Sequence, residues 1–544
     1  MVLTEKRTLW LSIALYSLLA FGLSTWLLQF GYFIGHDGVW YVRIAKNIIA
    51  GKGISVNVGV PYVDHPPFYP LLIGIANLCF KDLELSGHLV SILAFSLTVI
   101  PLFFLTKAIY GGETPHWVSL LFATNGFLLI HSNLVLAESL FVLLVMIQIY
   151  LVHQVIQGER GGTARLGILM GILAGITYLT RPEGLLFYLA GILSISLLAP
   201  QSHIEKNKLA ALSFVTFLIF LVPYLTFIYR NTHRIQLSGA ITEIFVKRQL
   251  DVARPGQYLE TAKIYEGLTS DKTRLKLDEL KEKFNLIHYL VKDHFALLKS
   301  GFGSMIWRLL ELSKYLFGGI GFLFVGASLL SVPWDQKRRK SELLLLIFLL
   351  TVVPQLFGIF HPKRFFLYLP FFLIWMGNGI EVLRNWARQS FHLSEKASLI
   401  VAFGACSIFI LASAWYLEKD IKNDPTTFEY KEMGTWMKNN IPRIEEERVA
   451  SQHPSVIFYS GAKILNPPYL PYVDRFEDFL TYMAYQQAKY FVVSESLELP
   501  ALESYRFLLD ETKPLPPGIS RKHTVKAKKK TILYEILNQK ETLR

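Results

Sequence analysis

Gly35-His36-Asp37-Gly38-Val39-Trp40-Tyr41-Val42-Arg43-Ile44-Ala45, running on to His65-Pro66-Pro67-Phe68-Tyr69-Pro70, follows the first long apolar run, Leu9 to Phe30, and is not itself apolar. An acid, two histidines, an arginine and paired prolines stand where a plain connector between membrane segments needs none. The pattern around Asp37 predicts the start of a short helix that Gly51 and Gly53 close. A carboxylate in a first helical turn is favoured by the helix dipole and by nearby backbone N–H groups, which hold its proton off. That suits a general base or a metal ligand; an N-terminal cap without chemistry is the bland alternative.

Outward from this loop, the composition is that of a membrane protein. Hydrophobic residues make up 52% of the chain and charged residues only 18%, and apolar runs near twenty residues recur. Spans are expected at 9–30, 86–108, 116–131, 134–156, 164–180, 183–200, 208–229, 309–332, 342–360, 365–384 and 397–416. Residues 66–80 are apolar but too short to cross at about 1.5 Å per helical residue, so they are read as lying in or dipping into the interface. The predicted fold class is a mainly α polytopic membrane protein of about eleven transmembrane helices, with a soluble α/β domain at the C-terminal end. The membrane domain covers 1–417, with an outer loop at 31–85 and a large charged outer loop at 230–306 that includes a helical pattern over 273–293; the soluble domain covers 418–544.

The formal net charge of +13 fits cytoplasmic lysines and arginines plus a basic tail better than a nucleic-acid partner, and none is expected. The two cysteines, Cys79 and Cys406, lie in or beside apolar stretches and indicate no disulfide scaffold, zinc cluster or thiol chemistry. Glu5, Lys6 and Arg7 precede the first apolar run, which reads as an uncleaved first span. With the N-terminus cytoplasmic and 66–80 not crossing, the inner loops collect Arg160 and Arg165, Lys206 and Lys208, Lys337 to Lys340, and Arg384, Arg388 and Lys396. This positive-inside pattern places the 31–85 and 230–306 loops, the turns at 132, 180–182 and 361, and the tail outside. A multi-pass plasma (inner) membrane protein is therefore expected.

In the tail, helices are expected at 429–440 and 475–487, and strands at 455–460, 489–494 and 530–536. Such alternation argues a small α/β domain. No glycine-rich phosphate loop follows any strand, and the ordinary role for such a tail is support or specificity. The basic run Arg521 to Lys530 reads as solvated surface or as a contact for anionic lipid.

Polar residues mark the expected outer ends of the spans. Glu138 falls within a stretch otherwise fit for lipid, where an ionisable group must face a cavity or a partner; the alternative is a buried pairing with Arg or His for packing. Arg181, in Thr180-Arg181-Pro182-Glu183-Gly184, can offer a planar fork to a phosphate, or bridge Glu183 at the membrane edge. Lys363 and Arg364, in His361-Pro362-Lys363-Arg364, are basic residues at an outward turn, against the charge rule, and can also meet phosphate. Asp37, Glu138, Arg181 and Arg364 share one membrane level, which argues a cavity opening to the outer leaflet for an anionic, lipid-linked ligand.

With these residues the chain resembles the GT-C fold integral-membrane glycosyltransferases, the group of the lipid A aminoarabinose transferase and the protein O-mannosyltransferases. The likeness rests on Asp37 with Tyr41, on His65-Pro66-Pro67-Phe68-Tyr69-Pro70 as the Pro-Pro-Leu-Tyr-like element, on Glu138, on Arg181-Pro182-Glu183, on Arg364 before an aromatic run ended by Pro370, and on the tail with Ala488-Lys489-Tyr490-Phe491-Val492-Val493. The sequence departs where many relatives have Asp-Glu, with Asp37-Gly38, which argues against the aminoarabinose branch.

The resemblance implies a polyprenyl-phosphate sugar donor, a lipid, glycan or protein acceptor, the lipid bilayer as a partner, and transfer at the extracytoplasmic face. It implies Asp37 as general base, with Glu138 as the second catalytic carboxylate. Arg181, Arg364 and Lys363 would meet the donor phosphate, and Tyr41, His65, Tyr69 and His361 would line the substrate. A direct displacement would invert the anomeric centre. No cofactor is fixed, and a divalent cation stays open. The aromatics Trp40, Tyr41, Phe68 and Tyr69 also fit the interfacial belt. The alternatives are a secondary transporter, which should show paired repeats and broken mid-bilayer helices, a scaffold, which needs no Glu138, and a flippase of lipid-linked sugars, whose ligand is the same.

Overall fold

The computed structural model describes residues 2–57, 59–159, 163–254, 257–284, 310, 312–316, 319–331, 334–356, 364–423, 428–465, 470–496 and 501–537. Its helices run α1 Val2–Gly31, α2 His36–Ile49, α3 Phe68–Phe80, α4 Leu83–Ile109, α5 Thr114–Thr124, α6 Gly126–Ser132, α7 Glu138–Ile156, α8 Thr163–Thr180, α9 Gly184–Leu198 and α10 His203–Thr232. Then follow α11 Gly239–Ala253, α12 Tyr258–Glu266, α13 Lys276–Lys283, α14 Ile320–Leu330, α15 Gln336–Leu349, α16 Val352–Leu356, α17 Phe365–Ser390 and α18 Glu395–Asn423. The tail adds α19 Phe428–Asn440, α20 Ser455–Ser460, α21 Phe476–Tyr485 and α22 Ala501–Tyr505. Residues 285–306 of the large loop, with the end of its predicted 273–293 helix, lie outside the described residues; α13 is the part of that helix within them.

The chain divides into two compact units. The first is Met1–Tyr32, His65–Ser238 and Gly301–Asp424; the second is Phe33–Asp64, Gly239–Ser300 and Pro425–Arg544.

The first unit is a helical bundle. Six described helices are long and apolar enough to cross a membrane: Lys6–Gly31, Leu83–Ile109, Glu138–Ile156, His203–Thr232, Phe365–Ser390 and Glu395–Ile421. The apolar windows of α7 and α17 are 78% buried and those of α1 and α10 only 22%, so the former are core and the latter present side chains such as Trp10, Leu11, Leu15 and Ile219 as a hydrocarbon-facing surface. The expected span at 116–131 is two helices, because Asn125 takes an extended conformation and its side chain accepts the Leu128 N–H at 3.0 Å as an N-cap. The span expected at 134–156 starts only at Glu138, so this carboxylate occupies the first turn of α7 rather than the middle of a helix. The helix α3 has 13 residues, in keeping with a segment that does not cross.

Two devices pack the bundle. Gly167, Gly171 and Gly175, four residues apart on α8, face α10: a Cβ on Gly171 would sit 2.4 Å from the Ser213 carbonyl oxygen and 2.6 Å from Thr216 Cβ. Small residues at this spacing let two helix backbones approach in lipid. The second device is the fully buried Glu342 of α15, which accepts from Tyr110 Oη at 2.7 Å and Trp375 Nε1 at 2.8 Å and lies 3.4 Å from Arg338 Nε. Its charge is thereby partnered on three sides.

The second unit is built on a five-stranded sheet, β3 Arg448–Ser451, β4 Lys463–Ile464, β5 Tyr490–Ser494, β6 Ile519–Lys526 and β7 Lys530–Ile536, in the order β4-β3-β5-β7-β6; the numbering starts from a small ribbon, β1 Ser55–Asn57 with β2 Val60–Pro61, in the first outer loop. β3 is parallel to β4 and β5, and β7 is antiparallel to β5 and β6. Alternate residues of β5 enter two cores, Phe491 and Val493 with Phe479, Tyr505 and Tyr534 on one face, Tyr490 and Val492 with Met433, Met437 and Val456 on the other. Burial on both faces explains its unbroken apolar run. Trp40 and Ile44 of α2 belong to the second core, and Phe33–Asp64 of the first outer loop is part of this α/β unit.

The helices expected at 429–440 and 475–487 and the strands at 489–494 and 530–536 are present. The strand expected at 455–460 is instead the helix α20, closed by Gly461 at φ +77°. Its β-branched and aromatic residues mimic a strand, whereas the left-handed glycine after it is a helix stop.

Candidate active site

Within the first unit the structure brings together residues from three helix ends. Glu138 opens α7, Arg181 and Glu183 form the turn between α8 and α9, and Arg364 precedes α17. The turn is short because Pro182 cannot continue α8 and the Gly184 N–H closes on the Arg181 carbonyl at 2.9 Å. Arg181 Nη1 donates to Glu138 Oε1 at 2.5 Å, and Nη2 donates to Glu183 Oε1 at 3.0 Å. One guanidinium thus uses its two arms on two carboxylates, and both pairings foreseen as alternatives are formed. Burial alone would raise the Glu183 carboxyl; Arg181 and Arg364 outweigh it and hold it down at about 2. Arg364 makes no ion pair or hydrogen bond among the described residues, and Glu183, Arg181, Tyr368 and Glu138 act on it through space. The group is therefore two cations against two anions, with one guanidinium committed and one available. His361 and Lys363 lie outside the described residues.

Asp37 lies in the second unit. It is the second residue of α2, whose N-cap is Gly35 without a side-chain capping bond, so Asp37 does not do the work of a cap. Ala50 ends the helix, and Gly51 and Gly53 at φ +71° and +75° turn the chain, as the sequence predicts. The carboxylate keeps 28% of its side-chain surface exposed and has His36 Nδ1 at 3.3 Å from Oδ1. The His453 ring, from the tail, lies edge-on to His36 with centroids 6.1 Å apart and stacks on Tyr430 at 4.9 Å. Burial first, and His36 second, push the His453 imidazole down to about 3, so it stays neutral beside the acid. A partly exposed carboxylate next to a neutral ring can accept a proton from a hydroxyl delivered to its open side.

Of the residues expected to line substrate, Tyr41 is buried on α2 at 4% exposure, and Tyr69 is fully buried, its hydroxyl bonded to Ser91 Oγ at 2.7 Å and the Gly87 carbonyl at 3.3 Å. Tyr69 thus pins α3 to α4. His65 is half-buried. Among the described residues no three His, Cys, Asp or Glu side chains gather as a cation site. Sequence reading missed His453 near Asp37, and Ser455 and Tyr459 on the backbone of Ile34, because they fall in and before the run mistaken for a strand.

The family described as dolichyl-phosphate-mannose-protein mannosyltransferase matches residues 64–227. No curated protein sequence matches the chain. Among solved structures, ArnT from Cupriavidus metallidurans bound to undecaprenyl phosphate is similar, at 12% identity and a TM-score of 0.58, over 98% of this chain and 99% of that one. The oligosaccharyltransferase AglB from Archaeoglobus fulgidus, in complex with an inhibitory peptide and a dolichol-phosphate, is similar over 90% of this chain and 69% of that one, at 12% identity and a TM-score of 0.57. The Archaeoglobus fulgidus oligosaccharyltransferase in complex with Zn and sulfate is similar over 88% and 67%, at 13% identity and a TM-score of 0.55. The bundle, the α/β tail and these likenesses together make the chain a multi-pass membrane protein with the GT-C glycosyltransferase fold.

Proposed function

We propose that the protein transfers a sugar from a polyprenyl-phosphate carrier to a lipid, glycan or protein acceptor at the extracytoplasmic face, by one inverting displacement. The observation that carries this reading is the cluster of Arg181 and Arg364 with Glu138 and Glu183 at the helix ends of a GT-C bundle. The acceptor oxygen attacks the anomeric carbon, and the bond from that carbon to the phosphate oxygen breaks. The electron pair leaves on the phosphate, and the acceptor proton passes to Asp37. Arg364 meets the growing phosphate charge, since Arg181 is already held by its two carboxylates. Glu138 keeps Arg181 in place and is the next carboxylate in line as base. The positive-inside charge pattern supports a cytoplasmic N-terminus in the plasma (inner) membrane, with 418–544 outside as a soluble extracytoplasmic domain.

The test is the purified protein in detergent with a series of polyprenyl-phosphate sugars and envelope lipid, glycan and protein fractions as acceptor. The expected result is a glycosidic product with release of polyprenyl phosphate. Detergent removes both compartments, so a flippase cannot score. Movement of lipid-linked sugar across vesicles, with no product from any acceptor fraction, would overturn the enzyme in favour of the flippase.

A further inference from the structure

The acid assigned as base is carried by a helix that the tail holds at both its entry and its body. The entry is Ile34, fully buried and three residues before Asp37. Both of its backbone groups are bound by one face of α20: the Ser455 hydroxyl donates to the Ile34 carbonyl at 2.5 Å, and the Ile34 N–H donates to Tyr459 Oη at 3.0 Å. Ser455 and Tyr459 are four residues apart, hence neighbours on that face. Further along α2, Arg43 donates from Nη2 to the carbonyls of Ile457 at 3.3 Å and Ala462 at 2.7 Å, at the C-terminal end of α20, where carbonyls lack helical partners. Phe33 packs its ring on Tyr459 and His453, with centroids 6.1 and 5.7 Å away. The loop that carries His453 follows the carboxyl end of β3, which is parallel to both its neighbours; open α/β sheets place functional groups at such ends.

Trp40 and Ile44 pack α2 into the core it shares with the tail. The two hydroxyls do something else: they fix the height and direction from which the chain enters the turn that bears Asp37. We infer that Ser455 and Tyr459 are positioning residues for Asp37, so that the tail is part of the reaction's scaffold and not only a support or an acceptor-selecting module. The inference rests on Asp37 being the base, as proposed above. Misplacing a reacting group by about 1 Å can cost on the order of 10²-fold in rate.

The full-length protein tests this. In cells lacking the protein, wild type, D37N, Y459F, the S455A/Y459F pair and S455T are expressed to equal membrane levels, and formation of the missing envelope glycan is followed by mass spectrometry. Hydrogen exchange of residues 34–39 is measured on the same proteins after purification. D37N should give essentially no product. The S455A/Y459F pair should fall at least tenfold and Y459F in the same direction, with faster exchange confined to residues 34–39 and an unchanged thermal midpoint, whereas S455T, which keeps the hydroxyl donor, should keep wild-type activity. If D37N is inactive while the pair and Y459F both work at the wild-type rate, the positioning role is wrong and the base stands. If D37N is fully active, Asp37 is not the base and both ideas fall. Y459F keeps the ring against Phe33 and carries the test by itself should the pair not accumulate.

Discussion

A lone carboxylate in a polar loop is legible in a sequence, and Asp37 was readable for that reason. The triple grouping of Glu138, Arg181 and Glu183 was readable only as two separate possibilities, because the pairing depends on where α7 begins relative to the α8–α9 turn. This changes what each substitution should do. D37N is nearly isosteric and should keep the fold and donor binding while turnover drops by about 10²–10⁴-fold, the ordinary range for a general base. Steady-state kinetics checks it, and turnover like wild type would move the role to Glu138. R181A removes a hydrogen-bonded cation from two carboxylates, one of them with only 5% of its side chain exposed. Removing one partner of a buried pair costs about 3–5 kcal/mol at full burial, and somewhat less here because Arg181 keeps 17% exposure. R181A should therefore lower the thermal midpoint as well as activity. R364A leaves those pairs intact and should raise the donor KM and lower kcat together at near-normal stability, since phosphate charge is present before the reaction and grows during it. A normal KM in R364A would remove that residue from the phosphate site.

Helices and strands were legible where one period dominates. The long bundle helices and the central strand β5 are of that kind. Misreadings came where local chemistry overrode composition: Asn125 breaks an apolar run by capping, and Gly461 ends α20 as a helix although its residues favour a strand. The glycine spacing on α8 was present in the sequence, but its meaning needs the partner helix. With Ser213 and Thr216 so close, G171L cannot be accommodated without moving α10 away from α8. Overpacking of this kind typically costs about 1–3 kcal/mol. Thermal unfolding in detergent should show a lowered midpoint for G171L and almost none for G404L, because a Cβ on Gly404 meets nothing within 4 Å. An unshifted midpoint in G171L would show that α8 and α10 are not held by this contact.

For the molecule as a whole, the proposed sidedness rests on the charge pattern. In a Cys79→Ser background, cysteines at the exposed positions Arg254 and Tyr485 should react with an impermeant reagent added outside intact cells, and one at the exposed Lys337 should react only after permeabilisation. The reverse pattern would invert the topology and with it the face on which transfer is proposed. What no sequence pattern announces is that the second unit is stitched from segments far apart along the chain. The bonds at Ile34 join residues separated by 421 and 425 positions. During synthesis, the helix with Asp37 emerges and waits, its Trp40 and Ile44 face without the core it will join, until nearly all the rest of the chain has been made. On the proposed reading, an interrupted chain carries the acid without its setting, and nascent or truncated copies in the membrane should stay silent toward an energy-rich lipid-linked sugar until the last strands close.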